Sequence, residues 1–178
     1  MKFIAGKLDG VVLIELEPIT DSRGSFTRTY CQHEFQNAGL PSNWVQCNHT
    51  ITKKKGAIRG MHWQAEPKGE DKIVRCIKGA VFDVVVDVRK ESKTFGQWEA
   101  FELSEDTPSQ LFIPKGFAHG FQCLSENCHL YYQMSEFYDP DLARGIRWDD
   151  PVVDIEWPLE CTCSSKRDEN LPFLDTLS

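Results

Sequence analysis

The segment IPKGFAHGF, residues 113–121, indicates how this chain folds. Pro114 and Gly116 favour a turn rather than the interior of a strand. Short apolar segments flank that turn at 110–114 and 118–124. Two strands of this length joined by a turn are typical of antiparallel β-structure. His119, three residues after Gly116, places a titratable ring near the start of the second strand.

Short apolar or alternating segments separated by turns recur along the whole chain. We predict strands at 11–17, 25–30, 43–52, 57–64, 71–77, 80–88, 97–103, 110–114, 118–124 and 129–138. One internal helix is predicted at 32–40, ending at Gly39. This spacing predicts an all-β domain, a barrel or sandwich with a few short helices. We expect one domain over 1–178, in which 139–178 forms an irregular C-terminal extension packing on the barrel.

Composition and charge exclude several classes of function. The net charge of −7 argues against nucleic acid as a partner, although a local basic pocket could still hold a small anion. The longest apolar run is far too short to span a membrane, so we expect no membrane association. No secretion signal is recognisable, so a cytoplasmic location is expected. The seven cysteines are expected to be reduced, and a metal site at Cys161 and Cys163 is only weakly indicated.

Several strands carry polar side chains on one face. His62 and Gln64 share a face, as do Gln46 and Asn48, because successive side chains on a strand point to opposite sides. Lys72, His119 and Tyr132 each alternate with apolar residues in the same way. We interpret these faces as the lining of a wet cavity inside a barrel; the alternative is an outer, solvated face. Segment 80–88, with Phe82, Val84, Val86 and Val88 on one face, is predicted to be plain core.

The pattern Pro114-x-Gly116-x-x-His119 resembles the second motif of the cupin superfamily, whose members are small antiparallel β-barrels or jelly rolls. The first cupin motif carries two histidines and a glutamate that bind a metal. Here Trp63 and Gln64 follow His62, so the second histidine is missing, and Glu66 and Glu70 are poor substitutes. Because a catalytic metal usually needs three good ligands, we predict a barrel with no metal and no cofactor.

Nine segments, in order over nearly the whole chain, resemble the dTDP-4-dehydrorhamnose 3,5-epimerase family. They are DSRGSF (21–26), WVQCNHT (44–50), KGAIRGMHWQ (55–64), KIVRCIKGAVFDVVVDVR (72–89), TFGQW (94–98), QLFIPKGFAHGF (110–121), YYQMSEFY (131–138), RGIRWDDP (144–151) and WP (157–158). Each segment alone is a weak signal, but nine in order are specific. The resemblance implies a cupin-like barrel that epimerises a nucleotide-diphospho-4-keto-6-deoxy sugar, and a homodimer that exchanges strands between subunits.

The resemblance also implies catalytic roles. His62 is the expected base, Asp168 the carboxylate that pairs with it, and Tyr132 the proton donor. Lys72 is expected to face the enolate oxygen, where a fixed positive charge stabilises the developing anion. The C4 ketone acidifies the C–H bonds at C3 and C5, so inversion requires this combination of a base, an acid and a cation.

Substrate-binding residues follow from the same matches. They are Arg23, Phe26, Arg28, Gln46, Asn48, Arg59, His119, Tyr138 and Arg167. Arg59 is expected to hold a phosphate and Tyr138 to stack on the base. Arg59 and His62 would point to opposite faces of a regular strand. Gly60 permits a bulge that allows both side chains to reach one cavity.

Four positions depart from the family pattern: Arg28 and Ala143 stand where the family has glutamates, Cys47 where it has aspartate, and Arg167 where it has lysine. These departures leave open a CDP- or GDP-linked sugar in place of the dTDP form, and inversion at C3 alone. Two further alternatives are a metal-dependent cupin enzyme and a nucleotide-sugar-binding barrel without turnover.

Overall fold

The computed structural model describes residues 1–177 and contains two main antiparallel sheets. With strands numbered in chain order, the six-stranded sheet runs β1 (Lys2–Ala5), β2 (Val12–Glu15), β10 (Ser109–Ile113), β7 (Lys72–Lys78), β12 (Cys128–Met134) and β5 (Gln46–Thr52). The five-stranded sheet runs β13 (Ala143–Gly145), β6 (Ile58–Gln64), β11 (Phe117–Cys123), β8 (Ala80–Asp87) and β9 (Trp98–Ser104). The predicted all-β fold is therefore confirmed.

Four smaller elements complete the fold within residues 1–177. A hairpin of β3 (Ile19–Asp21) and β4 (Gly24–Phe26) forms a separate two-stranded sheet. The predicted internal helix is confirmed as α1 (Gln32–Asn37), and a second helix, α2 (Lys166–Glu169), precedes a 3₁₀ turn at Leu174–Leu177. No helix among residues 1–177 is long and apolar enough to cross a membrane. The cytoplasmic location stays a prediction.

The main core lies between the two large sheets. Val74, Leu111 and Leu130 of the six-stranded sheet pack against Val85 and Phe121 of the five-stranded sheet, and all five are buried. Burying each such side chain stabilises the fold by about 1.5–3 kcal/mol. The polar residues predicted to face a cavity lie on this same inner side, at the end of the barrel where the apolar core stops.

The outer faces of both sheets are partly covered by other segments. Phe35 of α1 is fully buried against the outer side of β2, β7 and β10. On the five-stranded sheet, Val84 and Val86 pack against Ile146 and Val153 from the chain after β12. Strand β8 is thus buried on both faces, which explains its almost continuous apolar sequence.

Four predicted strands, at 11–17, 25–30, 43–52 and 129–138, are each three residues longer than the strand observed. Segment 25–30 was expected to be a strand, but β4 ends at Phe26, because the chain then turns toward α1, where the Tyr30 hydroxyl donates to the carbonyl of Ser42 at 2.6 Å. Segment 129–138 leaves the sheet after Met134, and Tyr138 follows in a loop. After Met134, the carbonyls of Glu136 and Phe137 accept hydrogen bonds from the side chains of Gln46 and Gln64 at 3.1 and 3.0 Å.

The predicted bulge at Gly60 is present. His62 lies opposite His119 and Arg59 lies opposite Phe121, so that β6 uses one more residue than β11 over the same distance. Gly60 has φ +131°, and a Cβ there would lie 2.5 Å from the Cα of Gly120. Only glycine fits both this conformation and this close approach of two backbones.

We expect Gly60→Ala to destabilise the chain by more than about 3 kcal/mol, because backbone strain and a backbone clash add together. Gly24 has a similar φ of +127° but open space around its Cβ position. Gly24→Ala is therefore the matched control, with an expected cost of about 1–3 kcal/mol from strain alone. Urea unfolding of both variants measures the difference, and equal losses would show that the approach to Gly120 is not a constraint.

Candidate active site

Two adjoining cavities of about 440 and 380 Å³ lie at the open end of the barrel. His62, Lys72, Tyr132 and Arg167 line both of them. Arg59, His119 and Asp168 line only the larger cavity, and Gln46, Asn48 and Tyr138 line only the smaller one. The structure thus gathers all four predicted catalytic residues and six of the nine predicted binding residues.

His62 and Asp168 form a close pair between β6 and α2. The Nε2 of His62 lies 2.7 Å from Oδ1 of Asp168, and the Asp168 residue is 4% exposed. The short helix holds this carboxylate in place, because the backbone N–H of Asp168 donates to the capping hydroxyl of Ser165 at 3.1 Å. The backbone N–H of Gly60 donates to the second carboxylate oxygen at 3.4 Å.

The charge of Asp168 determines which nitrogen of His62 is free. Burial raises the pKa of Asp168, but the hydrogen bond and charge of His62 and the N–H of Gly60 together bring that pKa below its usual value. An ionised carboxylate only accepts hydrogen bonds, so Nε2 of His62 carries the proton. In the neutral ring, Nδ1 then keeps its lone pair, which is the state that a general base requires.

A second histidine–carboxylate pair lies directly across the strands. His119, opposite His62 in the sheet, places Nε2 at 2.9 and 3.1 Å from the two carboxylate oxygens of Asp83. Asp83 lies on β8 and is fully buried. Segment 80–88 was predicted to be plain core, and this prediction is wrong at Asp83. The sequence contained a sign of this role. Asp83 is a charged residue in an apolar run, and it shares a strand face with Val81 and Val85, which point into the core.

Lys72 is held at the wall shared by the cavities. Its Nζ lies 3.1 Å from Oε1 of Glu70 and donates to the carbonyl of His62 at 3.5 Å. The side chains of Lys72 and Glu70 are 10% and 6% exposed. Two of the three N–H bonds of the ammonium group are thereby directed to protein atoms, and the third is left for a ligand.

Arg59, Gln46 and Asn48 each donate a hydrogen bond to another segment of the chain, Asn48 to the sulfur of Met134 at 3.3 Å. Nε of Arg59 donates to the Thr52 hydroxyl at 2.8 Å and Nη2 donates to the carbonyl of Ile51 at 3.4 Å, and the residue remains exposed. Nε2 of Gln46 donates to the carbonyl of Glu136 at 3.1 Å. With Lys72 and Arg167, Arg59 forms a cationic group in a chain of net charge −7, as a pocket for an anion requires.

Three predicted binding residues lie away from both cavities within this chain. Arg23 is on the β3–β4 hairpin, where it pairs with Asp21 at 2.6 Å and its side chain is 87% exposed. Phe26, at the end of the same hairpin, is 69% exposed. Arg28 pairs with Glu34 of α1 at 3.2 Å.

The two glutamates considered as metal ligands have other partners. Glu66 pairs with Lys115 at 3.1 Å, and Glu70 pairs with Lys72. No group of three or more His, Cys, Asp or Glu side chains within 1–177 is arranged to hold a metal ion. All seven cysteines are free thiols. The absence of a cofactor stays a prediction.

Comparison with known proteins identifies the family. A family model described as dTDP-4-dehydrorhamnose 3,5-epimerase matches residues 5–176. A dTDP-4-dehydrorhamnose 3,5-epimerase of Methanothermobacter thermautotrophicus is 46% identical over 159 residues, covering 89% of this chain and 85% of that protein. The chain belongs to the dTDP-4-dehydrorhamnose 3,5-epimerase family. It is therefore an isomerase of the carbohydrate epimerase class.

Two solved structures are similar over almost the whole chain. The dTDP-4-dehydrorhamnose 3,5-epimerase from Bacillus anthracis, with TDP and PPi bound, has a TM-score of 0.94 at 37% identity and covers 97% of this chain and 98% of its own. A 3′-monoepimerase from Streptomyces bikiniensis in complex with dTDP-quinovose has a TM-score of 0.90 at 32% identity, covering 96% and 86%. The predicted cupin-like fold and family resemblance are confirmed.

Asp168→Asn is expected to lower the free energy of unfolding by about 1–2 kcal/mol at pH 7, because a buried charge-assisted hydrogen bond is weakened. The folded-state pKa of Asp168 is below its unfolded value, so the carboxylate stabilises the fold above about pH 4 and loses this effect as pH falls through the folded pKa. The difference between wild type and variant should shrink accordingly in urea titrations from pH 7 to pH 3.

Glu169→Gln provides the control for that measurement. Glu169 is the exposed neighbour of Asp168 on the same helix, so its change should have little effect at any pH. A wild-type to Asp168→Asn difference that is constant from pH 7 to pH 3 would contradict a depressed pKa.

Proposed function

We propose that the protein is a cofactor-free epimerase that inverts C3 and C5 of a dTDP-linked 4-keto-6-deoxy sugar. The observation that carries this proposal is the His62–Asp168 pair, which shares its cavities with Tyr132 and Lys72. Family membership and the similarity to epimerases solved with TDP and dTDP-quinovose support the same substrate class.

The proposed reaction is a proton removal followed by a proton return on the other face of the ring. Nδ1 of His62 takes the proton from the carbon next to the C4 ketone, and Asp168 stabilises the imidazolium that forms. Electrons of the broken C–H bond move into the ketone and give an enolate. The enolate oxygen accepts a hydrogen bond from the free N–H of Lys72. The Tyr132 hydroxyl then donates a proton to the carbon from the opposite side, which inverts the centre.

The nucleotide is proposed to lie along the cationic side of the cavities. Arg59 and Arg167 are suited to the two phosphates, since a guanidinium fork matches phosphate oxygens. Gln46 and Asn48 line the smaller cavity beside Tyr138, which is 57% exposed and offers a ring for the base. The named relatives favour thymidine over the CDP and GDP forms that the sequence left open.

A homodimer is proposed to complete the site. The β3–β4 hairpin exposes Ile19 and Phe26, which are 70% and 69% exposed. An isolated two-stranded hairpin is marginally stable in water. The six-stranded sheet also leaves Ile51, Ile77 and Tyr131 exposed. A second copy that covers these surfaces would place the hairpin, with Arg23, at the site of its partner.

Inversion at C3 alone is the second candidate function. It is favoured by the similarity to the Streptomyces bikiniensis 3′-monoepimerase. The same base and acid serve both reactions, because C3 and C5 flank one ketone. The position of the sugar in the cavity decides between the two products.

Solvent exchange distinguishes these functions. We expect the protein in heavy water to introduce deuterium at C3 and C5 of dTDP-4-keto-6-deoxyglucose, with slower exchange of the CDP and GDP forms. NMR of the sugar protons reads each carbon separately. Deuterium at C3 alone would establish the second candidate, and tight binding of the dTDP sugar without exchange would indicate a binding protein without turnover.

His62→Ala is expected to abolish exchange, with a loss of at least about 10³-fold, because the variant lacks the proposed base. Tyr132→Phe should lower the epimerisation rate by about 10²–10⁴-fold while changing binding little, since it removes only the proton that is returned. Glu66→Gln, at an exposed residue outside the cavities, is the control. Full exchange in His62→Ala, or an unchanged epimerisation rate in Tyr132→Phe, would contradict the assigned role.

The dimer proposal is tested by mixing subunits. Arg23→Ala and His62→Asn should each impair activity as homodimers. If Arg23 serves the partner's site, a hybrid dimer holds one site with both residues intact, and random mixing should restore about a quarter of wild-type activity. If Arg23 serves the site of its own chain, the hybrid contains no intact site and mixing restores nothing.

A further inference from the structure

Glu70 differs from every other buried carboxylate in the described chain. Asp87 is fully buried, and its two oxygens together accept hydrogen bonds from Arg89, Ser92 and Thr94. Both oxygens of Asp83, Asp150 and Asp168 are likewise bonded. Glu70 pairs with Lys72 through Oε1, but its Oε2 is buried and has no hydrogen-bond partner within residues 1–177.

An unpartnered carboxylate oxygen is costly in a folded protein. A buried acceptor without a donor loses its solvation and gains no hydrogen bond in return, and the cost is greater when the group is charged. A purely structural ion pair would be expected to have both oxygens satisfied, as the pair between Asp87 and Arg89 does. The position of Glu70 gives a reason for the difference, because it lines the smaller cavity together with His62, Lys72 and Tyr132.

The chemistry of the proposed substrate supplies the missing donor. In a 4-keto-6-deoxy sugar the carbon on one side of the ketone, C3, carries a hydroxyl, whereas C5 carries a methyl group. A cation beside a carboxylate therefore complements a ketone beside a hydroxyl. Lys72 would face the ketone oxygen, and Glu70 would accept a hydrogen bond from the neighbouring C3 hydroxyl. Oε2 can turn toward that hydroxyl because rotation about the terminal torsion of a glutamate costs little energy.

We infer that Glu70 is a specificity-determining residue that accepts a hydrogen bond from the C3 hydroxyl of the substrate while it holds Lys72 toward the C4 ketone. This inference rests on the proposed function. It assigns to Glu70 a role distinct from positioning Lys72 alone. A residue that acted only through Lys72 would affect every 4-keto substrate equally.

The test compares two substrates in two proteins. Wild type and Glu70→Leu are each given dTDP-4-keto-6-deoxyglucose and its 3-deoxy analogue in heavy water, and the combined rate of deuterium entry at C3 and C5 is measured as kcat/KM. We expect wild type to prefer the hydroxylated sugar by about 10–100-fold, beyond any intrinsic difference in reactivity, because a charged acceptor is left unpaired by the analogue. In Glu70→Leu this preference should fall by at least tenfold.

Glu70→Gln gives an intermediate variant, because its amide oxygen can still accept from Lys72 while the charge is lost. The preference of Glu70→Gln for the hydroxylated sugar should lie between those of wild type and Glu70→Leu. It also serves if Glu70→Leu does not fold, as judged by circular dichroism. Glu66→Leu is the matched control on the same loop, since Glu66 is exposed and bonded to Lys115, and its preference should equal that of wild type.

The outcomes separate the inference from the proposed function. If wild type exchanges neither sugar, the proposed function is wrong. If wild type exchanges both sugars and the Glu70 variants lose the same factor on each, the proposed function stands, Glu70 acts only by positioning Lys72, and the inference is overturned. A loss confined to the hydroxylated sugar supports the inference.

Discussion

The close approach of β6 and β11 at Gly60 and Gly120 is the constraint on which the site depends. A side chain at Gly60 would overlap the backbone of β11, and the bulge there would not form. The bulge aims Arg59 and His62 into one cavity although they differ in parity. The N–H of Gly60 also binds Asp168, the residue that orients His62. One backbone feature therefore connects the packing of the barrel to the geometry of the proposed base.

The interior of the barrel places a carboxylate beside each of its buried basic groups, which suits the proposed reaction. Proton transfer from a ketone-activated carbon needs basic and cationic groups out of water, where their charges are poorly solvated. Here each such group has a carboxylate beside it: Asp168 for His62, Asp83 for His119 and Glu70 for Lys72. Arg59 and Arg167 are exposed at the rim and have no such buried partner among the described residues. Their charge is available to a phosphate.

Sequence patterns predicted more of the interior than of the rim. Alternation groups Lys72, His119 and Tyr132 with apolar residues on one face of each strand, because the period of a strand is two whatever its partners are, and the structure shows that these faces line the cavity. It does not identify Asp83 as the partner of His119, since the two are 36 residues apart and only the pairing of β8 with β11 joins them. Asp168 came from the family resemblance, because nothing local to SSKRD indicates that a short helix returns it to β6. The predicted ends of β4 and β12 were wrong because side chains form hydrogen bonds with the backbone near them, and a strand period does not show such contacts.

The departures from the family pattern have unequal consequences once they are located in the fold. Cys47 is exposed and alternates with Gln46 and Asn48, so its change lies on the outer face and leaves the cavities unaltered. Arg28 is bonded to Glu34 and lies outside both cavities of its own chain. Ala143, in contrast, lines the smaller cavity beside Tyr138, where a short apolar side chain stands in place of a carboxylate. The missing carboxylate removes a negative charge and a hydrogen-bond acceptor from the proposed site of the nucleotide's base. The catalytic set of His62, Lys72 and Tyr132 is unchanged. We therefore expect this departure to affect nucleotide preference more than the proposed proton transfer.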